Sequence, residues 1–315
     1  IRSYFKSKGG NMPENNLKQA MLPVGGTVFE NNHGTAPGAA LEKNGKCVII
    51  LPGPPGELVP MFNESVRGFL KKYSDGAIVS HTVNIIGMGE SSVAEEIEDM
   101  FDAKNPTVAP YAKSGEVRLR ITAKAETADE ADKMCAPVVD EICSRLGDVV
   151  YGTDMNSIEE RFVALLKEKG KKIATAESCT AGYIPKRLTD IPGASEVFEC
   201  GIVSYSNDIK TKLLGVSPKT LETYGAVSEQ TAREMALGAK RVSGADIAIS
   251  TTGLAGPGGD GVLPGGLSFA AVTDGERTVV EKIVTGHEND REYNRYVTAS
   301  RALNLARLML EEKIK

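Results

Sequence analysis

ATAESCTAGY, residues 174–183, carries an apolar run into a turn that holds Glu177, Ser178, Cys179 and Thr180, with Gly182 two places on. The run KIATA (172–176) reads as a strand, and CTAGYIPKRLTD (179–190) reads as a helix. In an open α/β sheet, ligands bind beyond the carboxyl ends of strands, where such a turn sits. The first N–H groups of the helix lack an intrahelical partner and face whatever lies in front of the turn. A serine placed there meets donors suited to an oxyanion or a phosphate. Helix capping by Ser178 or Thr180 explains the same residues, and it is the commonest role for them. Cys179 is a third candidate, although small cysteines beside helices usually serve packing.

Outward from this turn, the pattern alternates between strands and helices. Ser157-x-x-Glu160 forms a capping box for a helix with the apolar face Ile158, Phe162, Leu165 and Leu166, closed by Gly170. EVFECGIVSYS (196–206) is a strand and DIKTKLLG (208–215) a short helix. SEQTAREMALGAKRVSG is a helix capped by Ser228, and ADIAISTTG (245–253) is a strand. GLSFAAVTD and RTVVEKIVTG pair as a hairpin over Asp274-Gly275, and a helix from about Asp290 to Lys313 closes the segment. This order implies a three-layer α/β/α sandwich whose sheet is mostly parallel and carries an antiparallel piece.

Two segments precede it. Residues 76–149 read as a small α+β unit, with strands in HTVNIIGMG and EVRLRITAKAE and helices in SSVAEEIEDMF and ADEADKMCAPVVDEICSRLG. Residues 1–73 are rich in Gly, Pro and Asn, with an apolar strand at Cys47–Leu51 and a helix from Glu57 to Lys72. Half of a βα unit cannot bury its own faces, so this segment is expected to be the remainder of a larger α/β domain. It should present a bare sheet edge and an apolar face covered by a second copy of the chain, the expected arrangement, or by the middle domain or a nicked companion fragment.

Of the 315 residues, 41% are hydrophobic and 25% charged, a globular composition. No apolar run approaches the roughly 20 residues needed to cross a bilayer, and the opening IRSYFKSKGG lacks the apolar core of a secretory signal. It does not start with Met, as in a fragment of a longer chain. The net charge of −5 argues against a nucleic-acid partner, and no membrane partner is expected. Five cysteines without CxxC or zinc spacing fit a reducing, cytoplasmic compartment.

A serine nucleophile needs a base. There are only three histidines, and the one in this segment near a strand end is His287. GIVSYSNDIKTKLLG offers more: if its strand lies beside KIATA, Tyr205 and Lys210 emerge on the rim that carries Ser178. A lysine serves as base only when burial and nearby dipoles pull it well below about 10.4. Solvated surface charge is the alternative for both Lys210 and Lys212. TTGLAGPGGDGVLPGG (251–266) follows another strand, and its glycines leave a loop able to wrap an anion with N–H groups, or merely a long hairpin connection. HENDREYNR sets Arg291 and Arg295 four apart at a helix start, where cations oppose the dipole unless something anionic lies nearby.

AESCTAG, YSNDIK-x-x-LLGV, TTGLAGPGG and DREYNR, in this order, resemble the C-terminal domain of the CinA family over about 154–315. The earlier segments resemble the later half of that family's molybdopterin-binding-like front domain and the small domain after it. The resemblance implies a nicotinamide-nucleotide amidase that converts nicotinamide mononucleotide to nicotinate mononucleotide and ammonia, in pyridine nucleotide salvage. It implies Ser178 as nucleophile, Lys210 as base and Tyr205 as relay or orienting group. Substrate contacts are then expected from Glu177, Cys179 and Thr180, from Thr252, Gly253, Gly256, Gly258 and Gly259, and from Arg291 or Arg295. No cofactor is required, and a homodimer is expected. The family's front-domain motif GGxGPTxDD is missing, so ADP-ribose pyrophosphatase activity, with its divalent metal, is not expected. Ala181 stands where the family commonly has glycine. Pyrophosphatase-like hydrolysis and nucleotide sensing without catalysis are the competing functions.

Overall fold

The computed structural model describes residues 1–314, the Lys113 side chain excepted, and the chain divides into two compact units at Gly76/Ala77. The front unit has helix α1 (Arg2–Ser7) and the antiparallel strands β1 (Thr27–Phe29), β2 (Gly38–Lys43) and β3 (Lys46–Ile50). Helix α2 (Pro55–Met61) continues through a π-helical stretch into α3 (Arg67–Leu70). It begins two residues ahead of the expected Glu57 because Pro55 fits the first turn, where no N–H is needed. Phe29 and Ala40 pack on Met61 and Val66. On the other face the cross-strand neighbours Leu41 and Val48, with Ile50 and Val28, stay exposed. That is the bare apolar face expected of an incomplete βα unit.

The second unit holds two sheets. The first contains β4 (Ala77–Ile86), helix α4 (Glu90–Glu96), β5 (Thr107–Lys113), β6 (Glu116–Ala125), helix α5 (Ala128–Leu146) and β7 (Val150–Thr153). Its order is β5-β6-β4-β7, antiparallel throughout. Pro110 masks β5 in the sequence, yet an edge strand tolerates a missing N–H. β7 pairs with β4, so this sheet keeps the chain to Thr153, beyond the anticipated 149.

The second sheet follows α6 (Ile158–Lys169) and contains β8 (Ile173–Glu177), α7 (Tyr183–Thr189), β9 (Phe198–Val203), α8 (Asn207–Leu214), α9 (Pro218–Tyr224) and α10 (Glu229–Ser243). It ends with β10 (Ile247–Gly253), β11 (Leu267–Thr273), β12 (Thr278–Val284) and α11 (Arg291–Leu310). The order is β12-β11-β10-β8-β9, with β8 parallel to both neighbours and β11 antiparallel to β10 and β12. Helices α6 and α11 bury Phe162, Leu166, Leu303 and Ala306 against one face, and α10 buries Met235 and Ala239 against the other. These are the three layers the alternation implies.

Local signals mostly act as read. Ser157 and Ser228 cap α6 and α10, and Asp274 accepts the Glu276 and Arg277 N–H groups in the hairpin turn. The capping box at Ser157 is only half formed: the Glu160 carboxylate takes the Asn156 N–H at 2.8 Å, one residue before the cap.

Candidate active site

Register sets the site. Glu177 of β8 pairs with Thr251 of β10 and Val203 of β9, so the residues that follow each strand emerge side by side on one rim. These are Ser178, the loop after Thr252, and the Ser204–Tyr205 turn.

After Glu177 the chain is held by the Ser178 N–H on the Thr251 carbonyl at 2.9 Å, then turns through Ala181 (φ 49°) and Gly182 (φ 86°). The alanine takes a left-handed conformation that glycine adopts more readily. Helix α7 therefore starts only at Tyr183, with Gly182 as its cap and no capping side chain. Capping by Ser178 or Thr180 is thus excluded. Thr180 instead pairs its hydroxyl with that of Thr251 at 2.6 Å, and its carbonyl accepts the Tyr183 N–H and Arg295 Nη2, the latter at 2.7 Å.

The N–H groups of α7 do not face a ligand. The fully buried Glu177 carboxylate accepts the Ile184 N–H at 3.2 Å, and burial pushes its pKa up, against the pull of the Thr180 hydroxyl and the Ile184, Tyr183 and Gly182 N–H groups. A carboxyl group of the chain itself occupies the place expected for an oxyanion or phosphate. Glu177 is a support of the turn and not a cleft residue.

Helix α8, capped by Ser206, brings Lys210 into the interior, 1% exposed. Its Nζ lies 3.1 Å from Ser178 Oγ, 2.8 Å from the Ser204 carbonyl and 3.2 Å from the Tyr205 carbonyl. Among the described residues no carboxylate forms an ion pair with it, and burial lowers its pKa, with a slight opposing effect from Cys179. A neutral amine has two N–H groups and one lone pair. The two carbonyls match the N–H groups, which leaves the lone pair for the serine hydroxyl. Lys212 is exposed, so Lys210 alone has this setting. Cys179 is buried and its thiol is pushed up to about 12, chiefly by burial, which removes the thiolate a cysteine nucleophile requires.

Ser178 opens onto a cleft of about 340 Å³. Cys179, Tyr205 and Lys210 line it with Thr252–Gly259, Ala226, Val227 and Arg291. Tyr205 touches Lys210 through its carbonyl, whereas its hydroxyl is 3.4 Å from Arg291 Nη2. A proton relay through that hydroxyl therefore has no support in this geometry. The Thr252 hydroxyl is committed to the Ala226 carbonyl at 2.6 Å. The glycine loop is held by its own contacts, among them the Gly258 N–H on the Glu288 carbonyl at 3.0 Å. A Cβ at Gly256 or Gly259 would run into the Glu288 or Leu263 carbonyl, and Gly253 packs as closely on Ser268. Gly253, Gly256 and Gly259 thus allow backbone to approach backbone.

The two arginines separate. Arg291 lines the cleft, and Nη1 donates to the Gly256 carbonyl at 2.7 Å. Arg295 lies behind the turn on Thr180 and 5.5 Å from the Tyr183 ring. His287 stacks on Tyr293 at 4.3 Å, outside the cleft lining. Sequence reasoning missed the Ser204 and Glu288 carbonyls and the Ala226–Val227 wall. Main-chain groups leave no residue signature, so no signal was available for the first two. Among the described residues, the five cysteines are unpaired, no cluster of three or more His, Cys, Asp or Glu could hold a metal, and no helix is long and apolar enough to cross a membrane.

Residues 155–310 match the family model described as CinA C-terminal domain, and 80–152 match the one described as Damage-inducible protein CinA KH domain. A competence-damage inducible protein of Clostridium beijerinckii is 52% identical over 92% of this chain and 71% of its own length. A CinA-like protein of Desulfovibrio desulfuricans is 46% identical over 98% of this chain and 72% of its own. The solved competence/damage inducible protein CihA from Agrobacterium tumefaciens is 38% identical, covering 49% of this chain and 93% of its own, with a TM-score of 0.47.

Proposed function

The chain belongs to the CinA family, and we propose that it is an amidase that hydrolyses the carboxamide of nicotinamide mononucleotide through Ser178 and Lys210. The observation that carries this reading is the 3.1 Å approach of a buried Lys210 amine, without a carboxylate partner among the described residues, to the Ser178 hydroxyl at the cleft floor.

In the proposed reaction, Ser178 Oγ attacks the carboxamide carbon while its proton passes to neutral Lys210 Nζ. Because Glu177 holds the N–H groups of α7, the developing oxyanion falls to the N–H groups of Cys179 and Thr180. The Lys210 ammonium then protonates the departing amide nitrogen, which leaves as ammonia. Lys210, neutral again, deprotonates a water that attacks the acyl ester, and its ammonium then returns that proton to the departing Ser178 Oγ as nicotinate mononucleotide is released. Arg291, whose guanidinium rests on neutral acceptors in the cleft, takes the substrate phosphate. None of these steps calls on a metal.

The test is ammonia release from nicotinamide mononucleotide by the full chain with a chelator present. The reading expects undiminished release. Activity that needs a divalent metal and acts on ADP-ribose would favour phosphoanhydride hydrolysis, and nucleotide binding without release would favour a sensing role.

A further inference from the structure

The hairpin between β5 and β6, in the antiparallel sheet, reaches α11. Its tip residue Gly115 has φ +70°, and a Cβ there would stand 3.0 Å from Val297 Cγ2. The next residue, Glu116, is buried, and its carboxylate accepts hydrogen bonds from Tyr151 OH at 3.0 Å and Tyr296 OH at 3.2 Å. The Tyr296 hydroxyl is pushed up to about 12 by burial and by Glu116, which keeps it a donor at neutral pH.

Tyr296 leads to the Ser178 turn by packed contacts. Its ring lies 6.5 Å from the Tyr183 ring. The Arg187 guanidinium, paired with buried Glu159, lies 4.5 Å from the Tyr296 ring and 5.7 Å from that of Tyr183. Beside Tyr296 in the chain, Arg295 donates to the Thr180 carbonyl at 2.7 Å and sits 5.5 Å from Tyr183. Arg295 Nε is buried without a hydrogen-bond partner among the described residues, so the guanidinium has been placed for the turn at some cost.

We propose that Glu116 is a positioning residue for Ser178, acting through Tyr296 and Arg295, so that the β5–β6 hairpin braces the catalytic turn. The proposal rests on Ser178 being the nucleophile. One buried carboxylate that accepts from both Tyr151 and Tyr296 ties the hairpin to α11, which sets the height of α11 against the turn. Close-packed interiors transmit such a constraint, and a misplacement of about 1 Å can cost on the order of a hundredfold in rate. None of the bracing groups lines the cleft, so the brace acts on turnover and not on substrate affinity.

Glu116→Gln and Tyr296→Phe in the full chain, alone and combined, test this against two readouts besides the melting temperature. One is kcat and KM for ammonia release; the other is the rate at which a fluorophosphonate probe labels Ser178. Each single change should lower kcat and labelling roughly tenfold, with KM kept within about twofold. The double variant should be no slower than the worse single one, as for groups acting in series. Unchanged kcat and labelling in folded variants, or losses that multiply, would overturn the brace. Tyr296→Phe removes one oxygen atom and keeps the ring, which provides a folded variant if Glu116→Gln does not fold. Labelling of Ser178 without ammonia release would sink the assigned amide and leave the labelling rates to decide the brace. No labelling of Ser178 would overturn both.

Discussion

Lys210 Nζ stands 3.1 Å from Ser178 Oγ, and its other hydrogen-bond partners among the described residues are the Ser204 and Tyr205 carbonyls at 2.8 and 3.2 Å. All three partners are neutral. An ammonium here would give up its water for dipoles alone, which is why burial dominates the lowered pKa. The pair therefore sets an amine of lowered pKa beside a hydroxyl.

That arrangement fixes a pH dependence. If Lys210 is the base proposed above it must be neutral to act, so turnover should rise with pH and level off below the ordinary lysine value of 10.5. Lys210→Arg should lose on the order of 10²–10⁴-fold, because guanidinium keeps its proton. A pH–rate profile measured on both proteins checks this. An active arginine variant would show that positive charge alone is needed.

The arginines should divide the kinetic constants. Arg291→Ala should raise KM for nicotinamide mononucleotide about ten- to a hundredfold, the worth of a charge-assisted hydrogen bond, with kcat little changed. With the phosphate-free riboside the same variant should match the wild type. Equal losses on both substrates would remove Arg291 from the phosphate.

Stability has its own test in the Arg187–Glu159 pair, which is buried on both sides. Glu159→Ala leaves the guanidinium without its counter-charge and should cost about 3–5 kcal/mol in urea unfolding. A loss below about 1 kcal/mol would mean that water or a rearranged neighbour replaces the carboxylate.

His81 bridges Asp154 at 2.6 Å and Asp132 at 2.8 Å, and its pKa is raised, first by the hydrogen bond to Asp154. Protonated His81 adds stability that is fully present below the ordinary imidazole value of 6.5 and is lost as pH rises through the higher folded value. The melting temperature should thus decline over that window, and His81→Gln should flatten the decline. An identical slope in the variant would assign the effect elsewhere.

Much of this was legible in the residues, because periodicity, caps and turn signals are local. The βα turn at Ser178, the caps at Ser157 and Ser228 and the Asp274-Gly275 hairpin all sit where their patterns lie. Strands β5 and β7 were hidden, one by Pro110 and the other by its four-residue length. Lys210 was legible as a candidate through its spacing from the end of a strand. Its two carbonyl partners were not, since any residue supplies a carbonyl and only the fold aims it. Glu177 misled for a related reason: a carboxylate next to a nucleophile suggests contact with substrate, while here it turns inward to the N–H groups of α7. The loop glycines left two readings open because anion binding and close backbone packing both need a missing Cβ.

The central claim is tested most directly by the turnover of Ser178→Ala and Cys179→Ala on nicotinamide mononucleotide, with circular dichroism and melting temperature confirming that both are folded. The account predicts that Ser178→Ala retains its fold and releases no ammonia above background, while Cys179→Ala keeps most of the wild-type rate. Near-normal turnover by Ser178→Ala, or its loss in a folded Cys179→Ala, would contradict it.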